Sequence, residues 1–156
     1  DIRILADKMF DAARIEDAIV PPALTKLPLS TFTSYLNDNM DFIKIAGFTT
    51  NAQYTPCEKY FFGDAIMIKR IADNLFSNIL KYGDKHTPIR LTLECNVSTL
   101  HLTLKNGIRT HSDMLTSSHI GLQNVQQMLS YHHGSIRTHQ DNNIFIVELQ
   151  LPLTNE

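Results

Sequence analysis

The sequence predicts an α+β fold, a two-layer sandwich in which about three helices cover one face of a mixed sheet. Three observations carry that reading. Apolar residues recur at helical spacing in three stretches, around residues 32–43, 65–82 and 120–133. Two neighbouring runs, IRLTLEC from Ile89 and LHLTLKN from Leu100, alternate apolar and polar side chains across a link short enough to imply an antiparallel pair. The last two runs, SIRTHQ and NIFIVELQLPL, flank Asp141-Asn142-Asn143, which reads as a hairpin turn.

In chain order, Ile2, Leu5, Met9 and Ala12 form a short helical seam over residues 1–20. It fits either the tail of a longer coiled coil or a surface helix. Pro21-Pro22 ends it, and residues 21–29, with a further proline at 28, read as a linker. Ser30 or Thr31 is placed to cap a helix whose Phe32, Leu36, Met40 and Ile43 face inward, with Gly47 as its stop. Phe48 to Pro56 reads as a strand leading into a loop. Asp64, after Gly63, is the expected N-cap of the next helix, which Gly83 closes. After the two alternating runs, the polar stretch from Gly107 to His119 lacks periodicity and reads as a loop. A helix follows to His133 and ends at Gly134. The folded domain is thus expected over residues 30–153.

Charge is nearly balanced, with 14 basic against 16 acidic residues, so nucleic acid and anionic membranes are not expected as partners. Cys57 and Cys95 form no CxxC motif and no disulfide framework, which suits a reducing cytosolic setting. No apolar run reaches the roughly 20 residues that span a bilayer. The start Asp1-Ile2-Arg3 lacks Met and a signal peptide, so the chain is expected to be a fragment, with any membrane span upstream.

The chemistry concentrates in the run Arg70 to Tyr82. At about 100° per residue, Arg70, Asn74, Asn78 and Lys81 share one stripe beside the apolar face of Ile68, Ile71, Ala72, Leu75, Phe76 and Ile79. An amide oxygen can ligate Mg²⁺ and a lysine one turn away can meet phosphate, so the stripe suggests a metal-nucleotide site. The competing reading is that both asparagines solvate an exposed face. A second motif, Ile120-Gly121-Leu122, opens a helix after a loop. Free amides and the positive dipole end there suit phosphate, and Gly121 permits close approach. A glycine-initiated helix without ligand has the same pattern.

Taken in order, the NxxxNxxKY helix, the strand ending in Asn106-Gly107, the loop, IGLxNV and the terminal hairpin resemble the ATP-binding catalytic domain of bacterial sensor histidine kinases. This is the Bergerat-type fold shared with gyrase-like ATPases, and the resemblance covers roughly residues 28–153. It implies that Asn78 holds Mg²⁺, Asn74 supports the phosphate region, Lys81 contacts phosphate and Tyr82 packs near adenine. Asn106 and Gly107 stand at the box that usually reads DxGxG. An asparagine oxygen there still accepts a hydrogen bond from adenine, without the strength of a carboxylate. The usual glycines are absent at 108, 110, 117 and 119, a shortened pattern similar to a subset of Gram-positive sensor kinases. Residues 1–20 look like the end of the dimerisation and phosphoacceptor hairpin. The phosphoacceptor histidine would then lie upstream, with no catalytic residue inside the fragment. The implied ligands are ATP and Mg²⁺. The implied partners are the chain's own hairpin, in a homodimer, and a response regulator. The implied setting is the cytoplasmic domain of a membrane-anchored sensor. Arg109 either reaches a γ-phosphate or is simply exposed. The seven histidines show no metal-ligand spacing, and His132-His133 at a helix C-terminus suit the imidazolium form. Two rivals remain: a non-catalytic regulatory module of the same fold, and an anti-sigma-type serine kinase.

Overall fold

The computed structural model describes residues 22–109 and 119–155, with side chains from Leu122 onward in the second span. The expected helix over residues 1–20 and the loop centre at residues 110–118 lie outside the described residues. The elements are β1 (Thr25–Pro28), α1 (Leu29–Ile45), β2 (Thr50–Tyr54), β3 (Tyr60–Gly63), α2 (Ala65–Tyr82), β4 (Ile89–Cys95), β5 (Thr99–Gly107), α3 (His119–Tyr131), β6 (Ser135–Asp141) and β7 (Ile144–Pro152).

Five strands form a mixed sheet in the order β2-β4-β5-β7-β6. Only β2 and β4 run parallel, and α2 lies in the crossover that a parallel pair requires. The alternating runs pair antiparallel as their short link predicts, Arg90 opposite Lys105 and Cys95 opposite Leu100. Their apolar sets, Ile89, Leu91 and Leu93 with Leu100, Leu102 and Leu104, are buried together with Phe145, Val147, Leu149 and Leu151 of β7. The helix layer answers with Phe32, Leu36 and Ile43 of α1, Ile68, Ile71 and Leu75 of α2, and Val125, Met128 and Leu129 of α3. The expected two-layer sandwich is therefore present.

Two expectations need correction. Within the expected linker at residues 21–29, Thr25–Pro28 form β1, paired antiparallel with β3 as a separate ribbon. At four residues each, the strands are too short to show a period in sequence, although Phe61 turns inward and Phe62 outward. Helix α1 then starts directly after Pro28, with no side-chain cap, so neither Ser30 nor Thr31 caps it. The Leu29 N–H instead donates to the Lys59 carbonyl at 2.9 Å, and that backbone bond replaces the missing cap.

Asp64 does cap α2: its Oδ1 accepts the N–H groups of Ile66 at 2.9 Å and Met67 at 3.2 Å. Gly47 follows α1 with φ +108°, a conformation other residues rarely adopt. Gly83 ends α2 for a different reason. Its φ is −70°, but a Cβ would stand 2.5 Å from the Ile79 carbonyl oxygen.

Candidate nucleotide site

Asn74 and Asn78 are not on an exposed face. They are 1% and 4% exposed, so the solvating reading of the stripe fails. Both amide atoms of Asn74, Oδ1 and Nδ2, are buried without a hydrogen-bond partner. Burying an unpaired amide costs about 1–3 kcal/mol, a cost usually met only where a ligand or water completes the group. Lys81 and Tyr82, one turn on, are half-buried, and Tyr82 packs against the core.

The C-terminal end of α2 is zipped to the end of β5. The Arg109 N–H donates to the Tyr82 carbonyl and the Asp84 N–H to the Gly107 carbonyl, both at 2.9 Å, around a bridge between Gly83 and Ile108. This sets Tyr82 beside Arg109 and Asp84 beside Gly107, residues that the sequence separates by a whole strand pair, with Lys81 and Asn106 each one residue further along its own chain segment. Asn106 is 2% exposed, and its Nδ2 donates to the Gly107 carbonyl at 2.8 Å. That bond assigns the carboxamide oxygen to the opposite side of the group. Gly107 is required by space: a Cβ would lie 2.5 Å from Thr87 Oγ1. Thr87 in turn is held by Asp84, whose carboxyl is lowered mainly by the bond from the His86 backbone N–H. Arg109 is exposed.

Helix α3 packs along α2 and reaches its start: His132 Nε2 accepts the Asp64 N–H at 3.0 Å. Asn74 lies in α2 and Asn124 in α3, the two helices that pack on each other. The first turn of α3 holds Ile120 and Gly121, described as backbone only. Leu122 is half-buried against the core. Asn124 was not singled out as a site residue, yet it is 9% exposed with an unpartnered Nδ2. The available signal was its place in IGLxNV, where the helical period puts an amide beside buried Val125.

His132 departs from expectation. Burial lowers its pKa, with a weaker opposing effect from the bond to Met128. Its Nδ1 lies 2.7 Å from the Met128 carbonyl and Nε2 accepts from Asp64, which requires the neutral tautomer rather than imidazolium. Among the described residues no three His, Cys, Asp or Glu side chains gather into a metal cluster. A Mg²⁺ held through one amide and substrate phosphates needs no such cluster, so the buried amides suit that ion.

A five-stranded mixed sheet with three helices on one face is the fold seen in solved catalytic domains of sensor histidine kinases. Solved structures carry that likeness. The catalytic domain of histidine kinase ThkA aligns with a TM-score of 0.68 at 17% identity, over 86% of this chain and 99% of that one. The cytoplasmic segment of histidine kinase QseC aligns at 0.70 and 14% identity, over 92% and 93%. ThkA in complex with response regulator TrrA aligns at 0.70 and 15% identity, over 95% of this chain and 47% of that one. No family model and no curated protein matches the chain.

Proposed function

We propose that this chain is the ATP-binding domain of a sensor histidine kinase, presenting Mg-ATP to a histidine on an upstream dimerisation hairpin. The observation that carries the proposal is the pair of buried amides, Asn74 and Asn78, with both polar atoms of Asn74 left without partners. In phosphoryl transfer the protein mainly positions groups and neutralises charge. When bound, Mg²⁺ supplies the charge neutralisation at the phosphates. Asn78 would hold the ion, Lys81 would meet phosphate, Asn74 would support the phosphates, and Tyr82 and Asn106 would face the base. Gly107 admits the close approach of Thr87, and the first turn of α3, Ile120 to Leu122, would offer backbone amides to phosphate. Arg109 is the candidate lid contact. The complex of ThkA with TrrA supports a response regulator as the downstream partner, and the likeness to the cytoplasmic segment of QseC supports a cytoplasmic placement. No described helix is long and apolar enough to cross a membrane.

Calorimetric titration with Mg-ATP tests the reading. Saturable binding in the wild type that Asn78→Ala abolishes, with the circular dichroism spectrum unchanged, is the expected result. The second reading, a regulatory module of the same fold, is favoured by Asn106 in place of an acid and by the missing glycines. Absence of Mg-ATP binding by the wild type would select it.

A further inference from the structure

Cys57 lies in the loop after β2, and Cys95 is the last residue of β4. The two strands run parallel with Tyr54 beside Leu93, and the Thr55 N–H donates to the Leu93 carbonyl at 2.9 Å. Two residues beyond Thr55 and Leu93 come the two cysteines, so one register delivers both thiols to the same corner of the sheet. Where they pair, neighbouring strands lie about 4.8 Å apart, on the scale of the roughly 4.4–6.8 Å that a disulfide spans between Cα atoms, and Cys57 follows the last paired residue of β2, Tyr54, in the adjoining loop. Both thiols are half-buried against the core. Burial, and then the neighbouring Cys57, push Cys95 up to about 12. The corner is held on its outer side by Lys59, whose Nζ donates to the carbonyls of Asn96 at 2.9 Å and Val97 at 2.5 Å.

We propose that Cys57 and Cys95 are a redox modification site, a dithiol that a peroxide closes to an intramolecular disulfide, tightening the ribbon through which the chain enters the domain. Cys57 is the attacking sulfur because burial holds Cys95 protonated. Its sulfur attacks one peroxide oxygen; the S–O bond forms, the O–O bond breaks, and hydroxide leaves and takes a proton. Cys95 then attacks the sulfenic sulfur; the S–S bond forms, the S–O bond breaks, and the departing hydroxide carries away the Cys95 proton as water. Two thiols and one peroxide become one disulfide and two waters.

The connection to the ribbon is direct. Cys57 precedes β3 by a short span that includes Lys59, whose carbonyl accepts the Leu29 N–H. β3 itself pairs with β1. The nucleotide site lies at the other end of β5, more than about 20 Å along the strand, so the proposal stands apart from the ATP reading.

The test treats the whole chain with hydrogen peroxide and examines it by mass spectrometry without reductant. Loss of two hydrogens, disappearance of both titratable thiols, recovery with dithiothreitol, and failure of Cys57→Ser and Cys95→Ser to give the product are expected. Retention of both thiols, or only intermolecular or over-oxidised products, would overturn the pair. In the oxidised chain the Leu29 and Tyr60 amides should exchange roughly 10-fold more slowly. Unchanged exchange would overturn the tightening.

Discussion

His132 Nε2 accepts the backbone N–H of Asp64 at 3.0 Å, so the residue that caps α2 is itself gripped by the turn that ends α3. The acceptor exists only while His132 is neutral, and burial keeps it so by lowering its pKa below the usual histidine value. A depressed folded-state pKa means the unfolded chain takes up the proton first. The stabilisation is complete above the unfolded value of about 6.5 and is lost as pH falls below it. Urea midpoints should therefore fall between pH 7.5 and pH 5.5. His132→Gln, which cannot ionise, should show a visibly flatter profile over that window. Parallel profiles would remove His132 as the cause.

Asp64 serves three donors at once: Ile66 and Met67 through Oδ1, and Ala23 through Oδ2 at 2.9 Å. Asp64→Ala should destabilise by about 1–2 kcal/mol, the usual range for a lost N-cap. Asp64→Asn keeps the capping oxygen but presents an N–H to Ala23, so chemical denaturation should place it between wild type and alanine.

At the end of α3 the left-handed position is taken by His133, with φ 57°, and not by Gly134. The His133 N–H donates to Ser130 and the Gly134 N–H to Leu129, the double bond pattern of a Schellman ending. Glycine normally fills the left-handed place because a Cβ there is strained. His133 is exposed, so its side chain contributes little packing in return. His133→Gly should raise stability by about 1 kcal/mol in thermal denaturation. Gly134→Ala should lower it, since a Cβ there would lie 2.6 Å from the Gln150 carbonyl oxygen.

What the sequence disclosed and what it hid follow from the range of the interactions involved. The alternation of Ile89–Cys95 and the period of Ile68 to Ile79 are local consequences of one buried face, so they could be read directly. The Asp64 cap was legible because its partners are two and three residues away. β1 and β3 were not, because each is four residues long and is made a strand only by the other. The missing cap of α1 has the same origin: the Lys59 carbonyl that receives the Leu29 N–H is remote in sequence. At the candidate site, helical spacing placed Asn74 and Asn78 on one stripe correctly. It could not tell burial from exposure, because α3, which packs on α2, arrives much later in the chain.

Asn74 gives the most discriminating substitution. Its side chain is 1% exposed and both polar atoms lack partners, so in the ligand-free protein the amide costs stability instead of contributing it. Asn74→Ala removes that cost together with some packing, and the two effects oppose each other. The urea midpoint should correspond to a change within about 1 kcal/mol, well below the 2–5 kcal/mol typical of truncating an apolar core side chain. Under the proposed function the same variant should lose at least about 10-fold in Mg-ATP affinity, one charge-assisted contact being worth about 1.5–3 kcal/mol. A variant that unfolds easily but binds Mg-ATP normally would make Asn74 a structural amide and withdraw it from the site. Asn124→Ala, on the helix that packs against α2 and with its own unpartnered Nδ2, should follow Asn74 in both measurements if the two amides serve one ligand.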